Sequence, residues 1–211
     1  EPFAGHERFH LYRTVHAYAE EKMGTTGAVA APDGTTLTGP DSLEALGLRH
    51  GVYFSSFGLD AHQELIMLRK GLSQRRALGF ELDNLVAGVE FGNRSRDGNI
   101  AARCARAALN VLRATGPFER AMDIFGKVGP LEQVAAPERA RLLFSLSALL
   151  LSGGRLDEAE QWLNETLAVA KETGDVGIAG RAHDKLGWVL RLAGRKEAVS
   201  AQFGRALELC R

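Results

Sequence analysis

His6-Glu7-Arg8-Phe9-His10 reads H-E-x-x-H. That spacing puts two imidazoles one turn apart on a helix face, where they could chelate zinc while Glu7 serves as general base for a metal-bound water. His16 falls where a third ligand would stand, so the chemistry on offer is that of a zinc metallopeptidase. The surroundings oppose it. Arg13 occupies the place of the glycine whose bend lets a third histidine reach the metal, and Arg8 sets a cation inside the motif. Phe9, Leu11, Tyr12, Val15, Tyr18 and Ala19 read instead as the packing face of a helix.

No G-x-x-x-x-G-K-[ST] loop occurs, so the residues offer no cradle for nucleotide phosphates, and no cofactor is implied. Cys104 and Cys210 form no C-x-x-C spacing and read as two small thiols in a reducing, cytoplasmic compartment. Basic and acidic side chains number 26 each, for a net charge of 0. Nothing global therefore draws the chain to nucleic acid or anionic lipid, and a charged partner must be read by a local patch. At 45% hydrophobic and 25% charged residues the composition is that of a globular protein. No aliphatic run approaches the roughly 20 residues that cross a bilayer. The opening Glu1-Pro2-Phe3, without an initiator Met, is expected of a piece cut from a longer protein.

The elements that position any site emerge from internal repetition. Gly116, Gly154 and Gly194 lie 38 and then 40 residues apart, and the patterns flanking them fall into register. Before each glycine comes an apolar helix face: Ala105, Ala108, Leu109 and Leu112; Leu143, Leu146, Ser147 and Leu150; Leu186, Gly187 and Leu190. After it comes a second: Ala121, Phe125 and Val128; Ala159, Leu163 and Thr166; Val199, Phe203 and Ala206. Each unit is thus helix, tight glycine turn, helix, with one buried stripe per helix. Small residues at Ala121 and Ala159 let the paired helices approach closely.

These units resemble the tetratricopeptide repeat. Gly154-Arg155-Leu156-Asp157-Glu158-Ala159-Glu160-Gln161-Trp162-Leu163 matches its turn and second helix, and Leu186-Gly187-x-x-Leu190 with Gly194, Phe203 and Ala206 follows its large-small pattern. His183 stands for the usual Trp, Leu190 for the Tyr and Val199 for the first Ala. The resemblance implies an all-α solenoid of hairpins over residues 99–211, divided near 99–136, 137–176 and 177–211.

A second resemblance covers the first part of the chain. Arg8-Phe9-His10-Leu11-Tyr12-Arg13-Thr14-Val15-His16-Ala17-Tyr18-Ala19-Glu20-Glu21-Lys22-Met23 is similar to the stretch closing the winged-helix part of bacterial STAND-type signalling ATPases (NB-ARC, winged helix, repeats). Arg49-His50-x-x-Tyr53-Phe54 and Glu81-Leu82-Asp83-Asn84-Leu85 follow in that family's order. The resemblance implies that residues 1–23 end a winged-helix segment and that any ATPase belongs to an upstream domain of the parent chain. Residues 24–41 depart from it. There Pro32-Asp33-Gly34 separates two β-prone runs, which reads as either a short hairpin or a linker. Residues 42–98 read as two or three packed helices preceding the repeats, with Asp41-Ser42 and Asp60 as N-caps and 93–99 as the joint.

In a stacked solenoid the first helices line the concave face. Residues there that lie off the apolar stripe are Arg103, Arg106, Asn110 and Arg113; Arg141, Phe144, Ser145 and Ala148; Arg181, Asp184, Lys185, Trp188 and Arg191. The set is basic, and Arg103, Arg141 and Arg181 recur at equivalent places. One reading is a groove that binds an acidic protein or peptide through charge-assisted contacts, with Phe144 and Trp188 as apolar anchors. The other is that these arginines pair with carboxylates of the neighbouring unit. The expected function is non-catalytic: a protein-binding sensor or scaffold of a multidomain bacterial signalling or transcriptional regulator, with no nucleic-acid or membrane contact of its own. A small-ligand-sensing helical domain is the alternative beside the metallopeptidase.

Overall fold

In the computed structural model, described for Glu21 and residues 28–30, 36–67 and 71–209, the protein is an α-solenoid preceded by a short hairpin. Strand β1 (Ala28–Ala30) pairs antiparallel with β2 (Thr36–Thr38), Val29 opposite Leu37. Ten α-helices follow among the described residues: α1 (Gly39–Ser56), α2 (Asp60–Met67), α3 (Leu72–Gly79), α4 (Leu82–Arg94), α5 (Gly98–Thr115), α6 (Phe118–Gly126), α7 (Ala136–Ser152), α8 (Leu156–Thr173), α9 (Val176–Leu192) and α10 (Lys196–Leu209). The segment carrying His6, Glu7, His10 and His16, the Pro32-Asp33-Gly34 turn and Cys210 lie outside the described residues.

Periodicity and turn chemistry explain the paired helices. Gly116, Gly154 and Gly194 all have φ between 68 and 76°, the left-handed conformation that costs glycine nothing and a side chain strain. Ala121 and Ala159 are fully buried where the helices of a pair meet. Leucines 109, 112, 142, 143, 146, 149, 150 and 163 are almost wholly excluded from water and, with Val111 and Val189, fill the seam between hairpins. Trp162 meets Phe125 edge to face at 5.8 Å, tying one second helix to the next. Asp97 and Asp175 cap α5 and α9, accepting from Ile100 N at 3.1 Å and Ile178 N at 3.0 Å.

The stacking extends further towards the N-terminus than the glycine period indicates. α1 packs on α4, and both pack on α5, as α7 and α8 pack on each other and on α9. Several hydrogen bonds between neighbouring hairpins span about one repeat. Arg120 reaches Asp83 and Lys127 reaches Glu90 across 37 residues, Arg103 reaches Glu138 across 35, and Arg195 reaches Glu160 across 35. Thus α1 and α4 form a hairpin interrupted by the α2–α3 segment. The region read as two or three helices holds four, because breaks at Gly58, ahead of Leu72 at Gly71, and at 80–81 divide what periodicity alone runs together. α1 begins at Gly39, ahead of the expected Asp41-Ser42 start, with Pro40 in its first turn, where a missing N–H loses no helical bond. Asp60 does open α2, but both its carboxylate oxygens are taken by arginines of other helices.

Candidate functional site

Three consecutive first helices, α5, α7 and α9, present one side chain set each to a cleft of about 360 Å³. Helical spacing of three and four residues places Arg106, Asn110 and Arg113 on the first rung. Phe144, Ser145 and Ala148 form the second, and Arg181, Asp184 and Lys185 the third. The fourth wall comes from α2, with Asp60, Gln63 and Glu64 at the i, i+3, i+4 positions that share a helix face.

The cations differ in how they are held. Arg106 is 3% exposed; its Nη1 donates to the Gly58 carbonyl at 2.7 Å and its Nη2 to Asp60 Oδ1 at 2.6 Å. Arg141 Nε donates to the other oxygen, Asp60 Oδ2, also at 2.6 Å, and its Nη2 lies 3.4 Å from Asp175. One carboxylate therefore bridges two guanidiniums from different hairpins. Beside it, Asn110 Nδ2 donates to Gln63 Oε1 at 2.6 Å.

Burial pushes the Asp60 carboxyl up, but hydrogen bonds from Arg141 and Arg106 outweigh it and hold the group below its ordinary value of 3.8. For Arg106 burial dominates: loss of water lowers its affinity for a proton despite the opposing Asp60, and Arg181 and Arg141 add like-charge repulsion. Burial acts against the charge of Arg141 also, yet Asp60, Asp175 and Glu138 together raise its pKa. Arg113 is lowered by burial and by nearby Arg75.

The structure brings Arg106, Asn110, Arg113, Phe144, Arg181, Asp184 and Lys185 of the sequence-derived set to the one cleft. Arg181 lies over the Phe144 ring, 4.5 Å from its centroid, and makes no ion pair among the described residues. Lys185 pairs with neighbouring Asp184 at 3.1 Å. Trp188 and Arg191 stack on each other at 4.4 Å, and Trp188 borders a shallower hollow that adjoins the cleft through Arg113, Ala148 and Lys185. Arg103 turns away to Glu138 at 2.8 Å, and Arg141 contributes by gripping Asp60. For these two arginines, pairing with the following unit describes the geometry: Glu138 and Asp175 stand one repeat downstream. Asp60, Gln63 and Glu64 were not among the expected contacts. Their signal was a polar i, i+3, i+4 face on a helix whose opposite side carries Leu65.

A separate cavity of about 430 Å³ lies behind α2, with Tyr53, Phe57, His62 and Leu78 in its walls. Cys104, buried on α5, has its thiol pushed up to about 12 by burial alone, which keeps it protonated and unreactive. Among the described residues no cluster of three or more His, Cys, Asp or Glu could hold a metal ion. No helix there is long and apolar enough to cross a membrane.

Stacked hairpins with a polar, partly basic inner wall define a helical-repeat interaction scaffold. Residues 137–211, spanning the last two hairpins, match the tetratricopeptide repeat family, which supports a tetratricopeptide domain there. No curated protein and no solved structure matches the chain.

Proposed function

We propose that the chain is a non-catalytic peptide-binding domain whose concave cleft holds an acidic segment of a partner protein. One observation carries this reading: Arg106 and Arg141 already grip a carboxylate, that of Asp60, at 2.6 Å from each side. Charge-assisted contacts of this kind are the strong ones, and a guanidinium fixed by its own scaffold loses little freedom on binding. The third rung extends the seat with Arg181, held flat against Phe144, and Lys185. The chain as a whole is neutral, so selection of an acidic segment would rest on this patch alone.

The wider setting we infer is the sensor part of a multidomain bacterial signalling or transcriptional regulator acting in the cytoplasm. Occupancy of the cleft would bias an upstream ATPase domain between two states, which requires the ligand to favour one of them. The order of the segments around Arg8–Met23, Arg49–Phe54 and Glu81–Leu85 supports that setting.

Fluorescence anisotropy with a labelled acidic peptide and its Asn/Gln counterpart tests the binding claim. The acidic peptide binds, salt weakens it, and Arg181→Ala lowers its affinity about tenfold or more, the share of one charge-assisted hydrogen bond. Equal binding of the two peptides, or indifference to Arg181→Ala, would overturn the reading.

A further inference from the structure

Helix α2 walls the cleft on one side and turns a polar face to the arginines of the inner wall, as a bound peptide would. It belongs to the segment that interrupts the α1–α4 hairpin, and what it offers the inner wall is a short polar code. Asp60 enters between Arg106 and Arg141, and Gln63, one turn on, meets Asn110 at 2.6 Å. Asp60 thereby bridges residues 46 and 81 positions away, whereas the ties between neighbouring hairpins span about one repeat. A contact out of step with the solenoid's own offset marks α2 as something laid upon the groove, not one of its layers.

Its attachment is also slight. Among the described side chains of α2 only Gln63 and Ile66 are buried, and α3 buries Leu78, while α5 buries eleven residues. Leu65 is 47% exposed and Leu72 62%. Two eight-residue helices that give the core one apolar side chain each, Ile66 and Leu78, have little stability of their own and belong to the part of a protein that opens first.

We propose that α2 is a built-in occupant of the groove, and that the groove's partner is an acidic helical segment that docks by exchange with it. That segment would present a carboxylate where Asp60 stands and an amide or second carboxylate three or four residues on. This rests on the reading of the concave face as a peptide site and adds the form of the partner and the means of control. The population of the open groove then sets the apparent affinity, since the apparent dissociation constant is the intrinsic one divided by the fraction of molecules in which α2 is unseated.

The test uses the full 211-residue chain and, as probe, a labelled synthetic peptide copying Phe57–Met67, beside the same peptide with Asp60→Ala. Asp60→Asn in the protein loosens the internal occupant and should tighten binding of the acidic probe about tenfold, with no gain for the Asp60→Ala probe. Gln63→Ala removes the contact one turn further along α2 and should act in the same direction; circular dichroism establishes that both variants are folded. Hydrogen exchange should show α2 amides losing protection as the probe binds wild type. If wild type binds the probe but neither variant tightens it and α2 stays protected, α2 is a fixed wall and the exchange proposal fails while the peptide groove survives. If neither wild type nor variant binds acidic probes at all, both fail.

Discussion

At Gly58 the turn between α1 and α2 comes so close to α5 that a methyl group would stand 2.1 Å from the Arg103 carbonyl oxygen. The obstacle is backbone, which has no rotamer to yield, so only glycine lets the turn descend far enough for its carbonyl to meet Arg106 and for Asp60 to follow. Asp60 then carries a pH signature. Its carboxyl titrates lower in the folded protein than in the unfolded chain, so its contribution is fully present above about pH 4 and is lost as pH falls through the lower folded value. Urea melts taken at descending pH should therefore show wild type losing stability more steeply below pH ~4 than Asp60→Asn, which lacks the titrating group. At neutral pH the variant should be weaker by about 1.5–3 kcal/mol, the range for a hydrogen bond to a charged group. Parallel acid limbs for the two proteins would count against the bridge. The residue was legible as a helix start, since Asp favours that place; its two arginine partners were not, because nothing local in the sequence records a contact across 81 residues.

The helices were the most legible elements where period and punctuation agree. Leu143, Leu146 and Leu150 ahead of Gly154, and Ala159 and Leu163 after it, state a hairpin in local terms, and each of these side chains is buried. The α1–α4 pair escaped the same reading because residues 57–81 stand where a glycine turn would be, so the period is broken although the packing is not. A signal was available: Asp83 and Glu90 precede Arg120 and Lys127 by the same 37 residues. Caps matter at this scale as well. Asp175 accepts from Ile178 N at the start of α9 and lies beside Arg141, so it fixes both the first turn of one helix and the guanidinium of another. Asp175→Ala should cost about 1 kcal/mol through the lost cap, read from denaturant midpoints at constant slope; Asp175→Asn, which can still accept from the backbone, should recover most of it. An Asn variant as weak as Ala would place the effect on the Arg141 pair instead.

Taken whole, the molecule is close to one-dimensional: each hairpin touches its neighbours. Local spacing led to the helical hairpins, and the resemblance to the tetratricopeptide repeat implied their stacking into an α-solenoid. What the solenoid encloses did not, because the occupant of the cleft comes from a region whose sequence carries no repeat signature.

The Asp60 bridge has a mechanical meaning. A chain of nearest-neighbour layers, pulled from its two ends, should come apart layer by layer, but a carboxylate clasping both Arg106 and Arg141 laces α2, α5 and α7 into a single knot. In an optical trap the release of α2 from this lace should appear as a small early step, before the α9–α10 hairpin peels away and yields on the order of 120 Å of extended chain. Cutting the lace with Asp60→Asn should abolish the early step and leave the later one unchanged.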